Sequence, residues 1–155
     1  MIKLLKVADY KSASNAIEHM DKFNYMSPYA CKSQLSDMLI KRSIFNYEKV
    51  FIEKDSDIKN MITFNVCKYP NAVNRLYIEI ITNLEDPELS NFIESAVKEI
   101  KLKYKKKNGI SIYIEQKEKS TNLVNILDKL GFVQEMILMN ELGEGNNVLL
   151  LTKYI

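Results

Sequence analysis

Two cysteines, Cys31 and Cys67, are too few for a disulfide framework; they read as reduced, partly buried thiols of a cytoplasmic protein. A single histidine, His19, has no companion ligands around it and reads as a solvated helix residue rather than a metal ligand. No apolar run approaches the ~18 residues that a membrane-spanning helix needs. The N-terminal MIKLLKVADYKS has too short an apolar core for a signal peptide. Charge nearly cancels at +2, too little to argue for a nucleic-acid partner. The lysines Lys98, Lys101, Lys103, Lys105, Lys106 and Lys107 do cluster, but near a helix C-terminus, whose dipole favours cations, and without interleaved arginines or an aromatic stacking pattern. What remains is ordinary: 155 residues, 46% hydrophobic and 27% charged, enough for one domain with its own core.

Local patterns divide the chain into alternating elements. Residues 2–8 read as a strand. A helix over 10–21 buries Ala13, Ala16, Ile17 and Met20, with Asp9 as its cap. The aromatic linker Phe23 to Tyr29 leads to a second helix over 29–42. Strands 47–54, 58–68 and 74–82, joined by turns at Asp55-Ser56-Asp57 and Tyr69-Pro70-Asn71-Ala72, predict an antiparallel meander. From Pro87 to about Lys106 an unbroken helical period runs through Leu89, Phe92, Ile93, Ala96, Val97 and Ile100. Strand 110–116 follows, and its link to 74–82 calls for a right-handed parallel crossover. Strands 133–140 and 148–154 close the chain around a turn at 143–147.

The segment Ser120 to Phe132, STNLVNILDKLGF, carries the most specific signal. Leu123, Ile126, Leu127 and Leu130 form one stripe of a short helix that Ser120 or Thr121 can cap. Gly131 can take the left-handed conformation that ends it, folding Phe132 back toward Leu127. This Leu-Gly-Phe ending, set in the order β-α-α-β-β-β-α-β-α-β-β, resembles the GNAT N-acetyltransferase superfamily over nearly the whole chain. The resemblance implies an α/β (α+β) fold in a single domain, residues 1–155. Its mostly antiparallel mixed sheet would have about seven strands flanked by about four helices.

The same resemblance implies a site. Acetyl-CoA would lie in a V-shaped opening between strands 74–82 and 110–116, with the backbone of Ile80, Ile81 and Thr82 along its pantetheine arm and thioester. Its pyrophosphate would rest on the amides of Leu89, Ser90 and Asn91, where the helix dipole favours an anion. Ser120 stands where members of the superfamily often carry a polar asparagine. Glu79 matches a glutamate that serves as general base toward an amine of a small molecule or peptide. By strand alternation it shares a face with Arg75, Tyr77 and Ile81. A solvated or Arg75-paired carboxylate is the other reading of Glu79, and Tyr113 and Glu115 share a face of the neighbouring strand.

Two positions depart from the superfamily pattern. The Asn83 to Leu89 loop, Asn-Leu-Glu-Asp-Pro-Glu-Leu, has no glycine and three acidic residues. Asp86-Pro87 forms a helix-start signal whose carboxylate would occupy the amides meant for pyrophosphate. Leu127 stands where a tyrosine often protonates the leaving thiolate. The residues therefore support two readings, an acetyl-CoA-dependent N-acyltransferase and a GNAT-fold binding module that does not use CoA.

Overall fold

The computed structural model describes residues 2–23, 48–54, 57–65, 75–105 and 107–155. Cys31, Cys67, the expected helix at 29–42, most of the aromatic linker and the turn at 69–72 lie outside the described residues. In chain order the elements are β1 (Ile2–Leu4), α1 (Tyr10–His19), β2 (Asp21–Phe23), β3 (Glu48–Lys54), β4 (Ile58–Asn65) and β5 (Arg75–Thr82). They continue with α2 (Leu89–Lys103), β6 (Gly109–Glu115), α3 (Thr121–Lys129), β7 (Val133–Leu138) and β8 (Val148–Tyr154).

Among the described residues the strands form one eight-stranded sheet, ordered β1-β3-β4-β5-β6-β8-β7, with β2 paired to β5 off that path. The meander β3-β4-β5 is antiparallel as the short turns predict, and β5–β6 is the one parallel pair among these strands. Helices pack on both faces. Leu76, Ile78 and Ile80 of β5 join Phe92, Ile93, Ala96 and Ile100 of α2 and Leu123 and Leu127 of α3 in the larger core. The opposite face buries Met61 and Ile81 beneath Ala13, Ile17 and Met20 of α1. Each such aliphatic side chain contributes about 1.5–3 kcal/mol on full burial, which fixes the register of β5 between its two helical layers. None of the described helices is long and apolar enough to cross a membrane.

Several boundaries differ from expectation. The first strand ends at Leu4. Residues Val7–Asp9 instead make a 3-10 turn, in which the buried Asp9 carboxylate accepts from the Lys6 amide at 3.2 Å and Lys3 Nζ at 3.0 Å. Asp9 thus closes the turn before α1 and makes no side-chain cap to α1 itself. Helix α2 starts at Leu89 rather than Pro87 and ends at Lys103, because residues 83–88 fold into successive turns of their own. Strand β2 carries no periodic signal in three residues and was not expected.

The end of α3 follows its sequence closely. Gly131 has φ +85°, its amide donates to Asp128 O at 2.9 Å, and the Phe132 amide donates to Leu127 O at 3.0 Å. This is a Schellman closure, and Phe132 and Leu127 meet in the larger core. Lys153 Nζ also donates to the Leu130 carbonyl at this terminus, satisfying one of the acceptors a helix end leaves open.

Candidate active site at the β5–β6 splay

Parallel pairing between β5 and β6 covers only Arg75↔Gly109, Leu76↔Ile110 and Tyr77↔Ser111. Beyond Tyr77 the two strands run on to Thr82 and Glu115 without pairing to each other, so the sheet opens into a V. Glu79 lies just past the apex. It is partly buried, on the face of β5 that carries Arg75 and Tyr77, and opposite the buried Thr63 of β4. Tyr113 of β6 is two residues beyond the last pair, level with Glu79. Its ring stacks on Tyr77 with centroids 5.8 Å apart and planes within 7°. Burial first, and the neighbouring Tyr77 second, push the Tyr113 hydroxyl above the usual tyrosine range.

Arg75 does not pair with Glu79 through a direct ion pair along the strand. Its guanidinium bonds Glu135 and lies 5.6 Å from the Tyr154 ring centre. The Glu135 carboxylate also accepts from Tyr154 and, at 2.9 Å, from Thr152, whose hydroxyl is 2.7 Å from Ser111 Oγ. Tyr154 and then Arg75 hold the Glu135 carboxyl below its ordinary range. A register shift between Gln134 and Met136 lies at this residue of β7. The network ties the paired half of β5 to β6, β8 and β7, on the side of the apex away from the V.

Ile80, Ile81 and Thr82 line the V on its β5 side, but their backbone is already engaged on both edges. β4 pairs with them through Ile62, Met61 and Asn60, and β2 through Phe23, Lys22 and Asp21. The chain therefore lays its own strand along the edge expected to hold pantetheine. Only Ile78 and Glu79, between the end of the β6 ladder and the start of the β2 ladder, have no strand on that edge among the described residues.

The loop to α2 is organised by Asn60, which is fully buried in β4. Asn60 Oδ1 accepts from the Thr82 hydroxyl, and Asn60 Nδ2 donates to Asp86 Oδ2 at 2.6 Å. The other Asp86 oxygen accepts from the Glu88 amide at 3.0 Å. Asp86 thus captures one amide ahead of the helix, and no side-chain cap reaches the helical amides themselves. Among the three expected phosphate contacts, the Leu89 amide donates to Asp86 O at 3.2 Å and the side chain is buried in the core. Ser90 and Asn91 follow it in the first turn, where backbone amides have no carbonyl one turn back to bond.

Ser120, the expected polar contact at the start of α3, is bonded locally. It is buried, and its hydroxyl donates back toward Glu115 O at 2.7 Å and Lys117 O at 2.8 Å while accepting from the Lys117 amide. It fixes the turn between β6 and α3, neither capping α3 by its side chain nor facing the V as a free polar group. Leu127 is fully buried. His19 lines a cavity of about 680 Å³ between α1 and the 83–87 loop, together with Asp57, Glu85 and Asp86. No metal-binding group of side chains occurs among the described residues. In the lysine run, Lys98 pairs with Glu94 at 3.0 Å and Lys103 with Glu99 at 3.6 Å, each one helical turn away. Asn60 is the site residue that sequence reasoning missed; a lone amide on the Ile62–Phe64 face of a strand was its available signal.

No protein-family model matches the chain, and no curated protein sequence matches it. Solved structures do. Spermidine N-acetyltransferase from Vibrio cholerae, in complex with CoA and spermine, superposes with a TM-score of 0.72 at 16% identity, covering 99% of this chain and 94% of that one. Ribosomal-protein-S5-alanine acetyltransferase from Vibrio fischeri gives 0.70 at 16% identity over 99% and 91%. A GNAT-family structure from Desulfovibrio desulfuricans gives 0.76 at 9% identity over 99% and 98%.

The chain has the GNAT fold. On that fold the parallel pair β5–β6 and its splay stand where the resemblance of the Leu-Gly-Phe helix placed them. The GNAT fold here differs from the expected outline in carrying β2 as an added strand within the V.

Proposed function

We propose that the protein is a GNAT-type N-acetyltransferase that transfers an acetyl group from acetyl-CoA to an amine. The observation that carries this reading is the splay itself: β5 and β6 part after Tyr77, and the partly buried Glu79 lies just past their last pair, level with Tyr113 of the other strand. Acetyl-CoA supplies the acyl group as an activated thioester. The amine attacks the thioester carbonyl directly, Glu79 accepts the proton that the amine loses, and the C–S bond breaks to release CoA as a thiolate that water can protonate. The amides of Ser90 and Asn91, at the positive end of the α2 dipole, suit the phosphates. The backbone of Ile80 to Thr82 is the strand edge along which an extended pantetheine arm would bond in place of β2. The fold relatives named above act on spermidine and on an alanine of a ribosomal protein, so a small amine and a peptide amine are both suitable acceptors.

A second reading has its own observation. Strand β2 on the Ile80–Thr82 edge and the Asp86 carboxylate on the Glu88 amide both suit a GNAT-fold module that binds a partner without CoA. Calorimetric titration with acetyl-CoA separates the two. Saturable binding, with acetyl transfer that disappears in Glu79→Gln, is the result expected of the enzyme; absence of heat at millimolar acetyl-CoA rejects it.

A further inference from the structure

Strand β2 runs antiparallel to β5, with Asp21 beside Thr82 at the mouth of the V and Phe23 beside Ile80 toward its apex. Because β4 holds the other edge of the same three residues, β2 completes their ladder on the side that faces β6. Its described residues reach Phe23, beside Ile80. Its start is fixed by Met20, buried beneath α1, whose amide donates to Ile17 O at 3.3 Å.

We propose that β2 is a built-in occupant of the donor slot, held on Ile80 to Thr82 in the resting chain and displaced when acetyl-CoA binds. The inference rests on the acetyltransferase reading above. One row of backbone groups cannot bond both β2 and a pantetheine arm, so the two compete for it. A ligand that binds only the open form has its affinity reduced by the fraction of molecules that are open. Among the described residues the ladder has three pairs, and its Asp and Lys are poor strand formers, so release is within reach of a ligand that replaces the lost bonds.

The test uses the full chain with Lys22→Pro and Phe23→Pro made separately. Successive amides of a strand point to opposite edges, so one of the two substitutions removes a donor facing β5. That variant is expected to bind acetyl-CoA about tenfold more tightly by calorimetry. Its affinity for the adenosine bisphosphate portion alone, which lacks pantetheine, should be unchanged. Equal acetyl-CoA affinities in all three folded chains would overturn the inference while leaving the acetyltransferase reading intact. If no form binds acetyl-CoA although hydrogen exchange shows residues 21–23 open in one variant, the acetyltransferase reading fails and takes the inference with it. Should the proline variants not fold, hydrogen exchange of the wild-type chain decides: residues 21–23 lose protection when acetyl-CoA saturates it, and retained protection in the bound state overturns the inference.

Discussion

Arg75–Tyr77 and Ile80–Thr82 belong to one strand, yet along the same edge the first triplet pairs with β6 and the second with β2. The first half is tied across four strands by side chains, through Arg75, Glu135, Thr152 and Ser111. The second half is tied to β4 and the following loop, through Thr82, Asn60 and Asp86. Glu79 sits between these two anchorages. If Glu79 is the general base, an anchorage on either side holds its stretch of strand in place.

Changes on either side of the boundary should have different consequences. The largest is expected at the boundary: Glu79→Gln should lower kcat/KM about 10²–10⁴-fold while leaving acetyl-CoA affinity unchanged, as steady-state kinetics paired with calorimetry will show. Equal loss of binding would mean that Glu79 shapes the slot rather than the chemistry. Next comes the second half. Asn60→Ala leaves the Thr82 hydroxyl only the Asn83 carbonyl and takes a donor from one Asp86 oxygen, and should cost about 1–3 kcal/mol by urea denaturation. It should also speed hydrogen exchange at the Glu88 amide, with Arg75 and Glu135 resonances unmoved. The smallest effect belongs to the first half. The Glu135 carboxyl titrates below its unfolded value, so its stabilisation is fully present above the ordinary carboxylate range and is lost as pH falls through the folded value. Wild-type and Glu135→Gln stabilities should therefore differ modestly near neutrality and converge in acid, with carboxyl NMR titration reading the shift directly.

The two halves also differ in how far the sequence foretold them. The face on which Glu79 sits followed from alternation alone, since Ile78 and Ile80 must point into the core. The end of α3 was equally legible, because Gly131, Leu127 and Phe132 are near neighbours and the closure they make is local. Arg75 was harder: its partner lies sixty residues on, and the register shift at Glu135 leaves no mark in a hydrophobic pattern. Strand β2 was hidden for a similar reason. Three residues have no measurable period, and only the exposed edge of β5 makes them a strand. The 83–89 loop was read half correctly. Asp86 does take an amide, but Asn60, which aims its other oxygen, comes from a different strand.

The Tyr77–Tyr113 stack gives the V a readout of its own. The chain has no tryptophan, so its near-ultraviolet circular dichroism comes chiefly from tyrosine. Two nearly parallel phenol rings, one at the last β5–β6 pair and one on the β6 arm of the opening, form a coupled chromophore whose ellipticity depends on their separation and tilt. Any event that spreads the two strands should therefore change the optical spectrum without a label, and ligands can be screened by what they do to that band.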